Sequence, residues 1–128
     1  MAYFSIGIGG IIGSLLRYFV SLWSGNLLGN SFPFGTLIAN IAGAFLLGIF
    51  TRKVAESNRA NPNYVLAIGT GAIGSFTTLS TLSTETVLLM EKSEWLLAFI
   101  YIILSLIGGL GAAWIGYRQR GLKGMGVK

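Results

Sequence analysis

The chain has 128 residues, 53% hydrophobic and only 10% charged, with mean hydropathy +0.73 and a formal net charge of +5. That balance excludes an ordinary water-soluble domain, in which about a quarter of the residues are charged, and points to an integral membrane protein. Cysteine, histidine and aspartate are absent, and the acidic residues are Glu56, Glu85, Glu91 and Glu94. A Cys/His metal site, a Ser-His-Asp triad, a thiol nucleophile and a facial triad all need residue types missing here, so no enzyme is expected.

Four apolar segments follow in chain order: Ala2 to about Trp23, Phe34 to Phe50, Tyr64 to Met90, and Trp95 to Tyr117. Each is near the ~20 residues a helix needs to cross ~30 Å of hydrocarbon. Met1-Ala2-Tyr3 brings no basic n-region, so the first segment reads as a retained span rather than a signal peptide. The expectation is one all-α domain over residues 1–128, with four transmembrane helices embedded in lipid. The first segment carries Gly7, Gly9, Gly10 and Gly13, and the others carry similar glycines, as close helix packing in a membrane favours.

The second and fourth segments each place two polar residues at i and i+4, Thr36 with Asn40 and Tyr101 with Ser105, so each pair shares a helix face. Asn40 reads equally as glue between helices or as the lining of a path, and Ser105 can bond back to its own helix. The third segment holds Gly69, Gly71 and Gly74 and then six hydroxyls in eight residues, Thr77-Thr78-Leu79-Ser80-Thr81-Leu82-Ser83-Thr84. An unpartnered polar group in hydrocarbon costs ~2–7 kcal/mol, so these hydroxyls bond to backbone or line something polar. The three glycines predict a helix broken near the bilayer midplane, with freed carbonyls able to hold a cation. Arg17 and Glu85, charged side chains inside spans, are functional candidates, although Arg17 can snorkel and Glu85 can pair or be protonated.

Basic residues set the expected topology. Arg52, Lys53 and Arg59 after the second segment share a side with Arg118, Arg120, Lys123 and Lys128 after the fourth, against only Lys92 opposite. The positive-inside rule then places both termini in the cytoplasm. This explains the basic balance without nucleic acid, and a bias this strong predicts a single direction of insertion.

Gly-Thr-Leu-Ile-Ala-Asn-Ile-Ala-Gly (35–43), Gly-Ala-Ile-Gly-Ser-Phe-Thr-Thr-Leu-Ser-Thr-Leu-Ser-Thr-Glu (71–85) and Gly9-Gly10-Ile-Ile-Gly13 leading to Leu16-Arg17-Tyr18 resemble the Fluc (CrcB) fluoride channels. The resemblance spans nearly the whole chain. It implies a passive, fluoride-selective channel of the cell membrane, built as an antiparallel dimer with two narrow pores and a structural Na+ between the subunits. It further implies that the Gly74 and Thr77 carbonyls hold the Na+. Asn40, the run Thr78, Leu79, Ser80, Thr81, Leu82 and Ser83, and then Tyr101 and Ser105, are implied to line the fluoride path. Arg17 matches the arginine near the pore entrance and Glu85 the family's glutamate.

Hydroxyls, an amide and a phenol suit such a task. A small, tightly hydrated anion sheds water only where donors replace it, and neutral donors release it again.

One departure stands out. The family pattern has phenylalanine where this chain has Leu79 and Leu82, and leucine has no electropositive ring edge to offer. Phe76, one helical turn earlier, is expected to substitute in part. With the charge bias, this favours pairing with a paralogous subunit of opposite orientation over pairing with itself. Two other readings compete: a non-conducting scaffold subunit, and a small proton-coupled multidrug exporter, which needs a carboxylate that the first segment lacks.

Overall fold

The computed structural model of the protein describes residues 1–57 and 59–119 and is all-helical, with four segments long and apolar enough to cross a membrane. The elements are α1 (Ala2–Leu28), α2 (Phe34–Glu56), a composite third span (Pro62–Glu91) and α6 (Trp95–Arg118). All four spans run past the apolar segments. Arg52 and Lys53 are therefore in the last turns of α2 rather than in a loop, and Arg59 is in the short connection that follows. Arg120, Lys123 and Lys128 lie outside the described residues.

The third span is built from four pieces: α3 (Pro62–Val65), a π-helical stretch (Leu66–Ile73), α4 (Gly74–Phe76) and α5 (Leu79–Glu91). Asn61 starts it by accepting the Asn63 N–H at 3.0 Å, with Pro62 at the first helical position. The expected break is present near the centre of the span, just beyond the glycines rather than at them. Gly69 and Gly71 stay helical in the widened π turns, Gly74 opens α4, and the chain becomes extended only at Thr77 (φ −85°, ψ 154°) and Thr78 (φ −153°, ψ 124°).

Glycine serves packing instead. A Cβ on Gly9 would overlap the Ala67 carbonyl, one on Gly13 the Ala72 carbonyl, and one on Gly71 would lie 2.7 Å from the Ile6 carbonyl. The backbones of α1 and the π stretch thus touch directly, as small residues allow between membrane helices. α2 and α6 repeat the device, Gly48 lying against Ala113 and Gly116 against Phe45.

At one end of this pair, Arg52 donates through Nη1 to the carbonyls of Tyr117 (3.0 Å) and Arg118 (3.2 Å) while Nε pairs with Glu56 at 2.7 Å. It supplies donors to carbonyls that the end of α6 leaves without helical partners. Between α2, α5 and α6 the core gathers Leu37, Leu89, Ala98 and the fully buried Tyr101, with Phe32 edge-on to the tyrosine ring.

Candidate functional site

At the break, side chains stand in for backbone partners. In an unbroken helix the Thr78 N–H would donate to the Gly74 carbonyl and the Thr81 N–H to that of Thr77. Here the Thr78 N–H donates to Asn40 Oδ1 at 2.8 Å, and Asn40 Nδ2 donates back to the Thr78 carbonyl at 2.9 Å. The Thr81 N–H goes to Thr78 Oγ1 at 3.3 Å, which makes Thr78 the N-cap of α5.

No backbone N–H bonds the Thr77 carbonyl, and the Gly74 carbonyl receives only a long 3.5 Å contact from Thr77 Oγ1. A cavity of about 350 Å³ opens among Asn40, Gly74, Thr77, Thr78 and Leu79. On α2, one turn beyond Asn40, Gly43 faces the Thr77 methyl and the Phe76 ring, where a side chain would collide.

The hydroxyl run divides in two. Thr77, Ser83 and Thr84, like Thr86 just beyond the run, bond back to the carbonyl four residues earlier, at 3.2, 3.0, 3.0 and 2.7 Å. Thr78, Ser80 and Thr81 instead form a cluster, with Thr78 Oγ1 3.2 Å from Ser80 Oγ and 3.1 Å from Thr81 Oγ1. Each hydroxyl has one proton to give. The first group's protons are committed to backbone, and the second group's are shared among hydroxyls that can turn toward a guest.

One helical stretch further on, Glu85 is held by neutral donors from two other helices. Thr36 Oγ1 donates to Oε1 at 3.0 Å and the Tyr101 hydroxyl to Oε2 at 2.6 Å. No Lys or Arg among the described residues pairs with it. Glu85 and Thr36 also line a cavity of about 270 Å³ with Ser21, Ser24, Asn30, Ser31 and Lys92, at the end of the bundle away from the Arg52 lock. The expected shared face of Thr36 and Asn40 therefore exists: both turn toward the second half of the third span.

Ser105 does not bond back to its helix. Its Oγ is buried without a partner. Arg17 is half-buried and makes no hydrogen bond or ion pair among the described residues, and it is not among the residues of the Glu85 cavity. Leu79 is 75% exposed in the isolated chain, beside the break, whereas Leu82 packs on the Tyr101 core. Phe76 does not share a helix face with them. It ends α4 on the far side of the extended residues and packs toward Gly43, so the expected substitution by a neighbouring ring on one helix is lost.

Two relationships were not legible in the sequence: which side chains pack on Gly43, read there only as a packing glycine, and Thr36 as the partner of Glu85. The only signal for Thr36 was its i, i+4 relation to Asn40. Gly43 closes a quoted motif, but nothing in a sequence says which side chain fills the space a glycine leaves.

A four-span membrane protein whose third span is broken at its middle, with uncharged donors around the break, has the features of a channel or carrier for small ions. The comparisons name the family. A model for "CrcB-like protein, Camphor Resistance (CrcB)" matches residues 4–117, and the chain belongs to the CrcB family.

Among curated relatives, it is 44% identical over 117 residues to "Fluoride-specific ion channel FluC 1" of Bacillus thuringiensis subsp. konkukian, covering 91% of this chain and 85% of the relative. It is 41% identical over 121 residues to "Fluoride-specific ion channel FluC 2" of Moorella thermoacetica (94% and 98% covered). To "Fluoride-specific ion channel FluC" of Shewanella loihica it is 40% identical over 111 residues (87% and 89%).

Proposed function

We propose that this chain is a fluoride-selective channel subunit that lets fluoride leave the cell passively. The observation that carries the reading is a set of uncharged donors at the break of the third span, the Thr78, Ser80 and Thr81 cluster and the remaining N–H of Asn40, joined on α6 by the buried Ser105 hydroxyl, which has no partner among the described residues. The relatives' printed names supply the ion. Neutral donors replace a hydration shell without trapping the anion. Arg17, with no partner among the described residues, is the charge that would raise the local anion concentration at the entrance. An interior-negative potential favours anion exit by about 2.3 kcal/mol per charge per 100 mV, so no enzymatic step is needed.

In this reading Asn40, Thr78, Ser80, Thr81, Ser83, Tyr101 and Ser105 line the path, with Leu79 and Leu82 in place of aromatic rings. A sodium ion is the implied resident cation. The donor set fits it: the Gly74 and Thr77 carbonyls are hard oxygens released from helical bonding, and no group of three or more Cys, His or carboxylate ligands competes for a softer metal among the described residues. When bound, sodium would supply fixed positive charge between two subunits. The protein's part is to keep those carbonyls unpaired.

Both termini are placed in the cytoplasm by the basic residues, in a multi-pass protein of the cell membrane. The partner is an antiparallel subunit, and a paralogue of inverted charge bias is preferred because Leu79 and Leu82 leave this chain's own aromatic edges missing. The numbers 1 and 2 in the relatives' names hint at paralogues.

The test is fluoride efflux from liposomes, read with a fluoride electrode and with chloride as control. It is run with the purified chain alone and then with the paralogue. Flux with both subunits and none with either alone is the expected result. Fast flux from the chain alone establishes a homodimer, and no flux in any mixture leaves a scaffold. Proton-driven drug efflux abolished by Glu85→Gln would replace the channel with an exporter.

A further inference from the structure

The third span is broken by its neighbours rather than by its own glycines, and we infer that Asn40 and Thr78 act as positioning residues that hold the break open. Glycine content cannot explain the position of the break: Gly69 and Gly71 lie in π-helical turns, Gly74 opens a further helical turn, and the backbone leaves helical geometry only at Thr77 and Thr78, neither a glycine. Threonine is a mediocre helix former, but two threonines do not break a span in lipid, where every lost backbone bond must be replaced.

What distinguishes this place is the set of replacements. The Asn40 carboxamide pairs with both polar groups of the Thr78 residue, donating to its carbonyl and accepting from its N–H, as a neighbouring strand would. The Thr78 hydroxyl accepts the Thr81 N–H. These two acceptors capture the two N–H groups that would otherwise close onto the Gly74 and Thr77 carbonyls.

The consequence is selective. Breaking a helix orphans four carbonyls and four N–H groups. Of the N–H groups, those of Thr78 and Thr81 are taken by side chains, while no hydrogen bond from the backbone of Leu79 or Ser80 crosses back to α4. The break therefore presents carbonyls on its α4 side and free N–H groups on its α5 side, within a few residues of each other. Gly43 completes the arrangement by leaving room on α2 for the Thr77 methyl and the Phe76 ring.

Asn40 thus does more than offer a donor to a passing ion. It keeps the ion-facing backbone in its open form. The channel reading gives the break its purpose, but the inference about what holds it open can be tested without conduction.

Two extended residues advance the chain by ~3.3 Å each against ~1.5 Å in a helix, so a healed third span is shorter by about 4 Å. The chain has no cysteine, so Asn63→Cys and Glu91→Cys place a spin label at each end of the third span with no other thiol present. Dilution with unlabelled chain isolates the distance within one subunit. In this background Asn40→Leu and Thr78→Val, each close to isosteric, are expected to shorten the interspin distance by about 4 Å, while Thr78→Ser, which keeps the cap, retains it. The two shortening variants should also lose about tenfold or more of the fluoride efflux, and Thr78→Ser should not.

An unchanged distance in Asn40→Leu and Thr78→Val, with efflux lost, would overturn the inference and leave both residues as direct ion contacts. If Asn40→Leu does not fold, the Thr78 pair decides alone. Absence of wild-type efflux with and without a partner would instead remove the channel reading and leave the distance result standing.

Discussion

The two halves of the third span are joined through only two extended residues, yet they are held by opposite means. From Pro62 to Phe76 the chain is anchored by contacts made where side chains are missing. Gly9, Gly13 and Gly71 bring the π-helical stretch against α1 backbone to backbone. From Leu79 to Glu91 the anchors are polar side chains: Asn40 on the Thr78 peptide, Thr36 and Tyr101 on Glu85, and the hydroxyl cluster around Thr78. Where the first half meets α1, at Gly71 and opposite Gly9 and Gly13, it leaves no room for an added side chain. The second half is adjustable, because hydroxyls rotate and a carboxylate held by neutral donors can exchange them. In the proposed channel, a span that must stay in register while its other end accommodates ions is served by this division, the rigid half supporting the break and the adaptable half supplying the donors.

The comparison breaks most sharply at its rigid end. Gly71→Val drives a side chain into the Ile6 carbonyl and the α1 backbone, neither of which can yield without moving a helix. Overpacking against backbone is expected to cost about 3 kcal/mol or more, with loss of the monodisperse peak on size exclusion in detergent. Gly109→Ala is the matched control, since its Cβ meets nothing within 4 Å in the isolated chain. If Gly109→Ala destabilises the assembled protein as strongly, the face carrying Gly109 is packed against a second subunit.

A smaller effect is expected where the adaptable half meets α6. Tyr101→Phe keeps the ring that fills the core beside Phe32 and deletes only the hydroxyl that donates to Glu85 at 2.6 Å. Glu85 Oε2 is then left without a protein donor, and a polar group so deprived costs about 1–3 kcal/mol. The expected result is a lower unfolding temperature with the fold retained, together with reduced fluoride efflux. A variant that loses efflux at unchanged stability would make the tyrosine hydroxyl a contact of the ion rather than a support for Glu85.

Legibility in the sequence follows the same division. Hydropathy alone marks four spans, because twenty apolar residues in a row have few other uses, and the helices then run past the apolar stretches wherever Arg52, Lys53 or Arg118 can reach the polar end. The family is legible in the hydroxyl run and the Gly-Thr-Leu-Ile-Ala-Asn motif. So is a break near the centre of the third span, but what makes it is not. Glycine weakens a helix in isolation, but at Gly71 the lost side chain is repaid by contact with α1, so the helix continues as π turns, and the failure moves to Thr77 and Thr78, where Asn40 waits on another helix. A residue 38 positions away in the chain decides the outcome, and local propensity cannot report it. The same reasoning accounts for Phe76, which counts as one turn before the leucines only if the helix between them is whole.

The finest distinction lies within the hydroxyl run, where the sequence presents six equivalent groups and the structure does not. Thr84 Oγ1 donates to the Ser80 carbonyl one turn back, a bond that lets a hydroxyl sit in lipid at little cost and adds little to stability. Thr84→Ala is expected to change stability by less than about 0.5 kcal/mol, as surface substitutions do.

Thr81 differs because its hydroxyl meets Thr78 Oγ1 at 3.1 Å while its N–H bonds that same oxygen, so Thr81→Val leaves the cap in place but removes a partner from the cluster. A loss of about 1 kcal/mol is expected there, the usual worth of one hydrogen bond. Thermal unfolding of the two variants side by side separates the cases. Equal losses would mean that the run acts as one polar stripe, and the contrast between committed and shareable hydroxyls would fall. A difference of this size places the shareable protons within one turn of the break, where an anion passing through the span has most need of them.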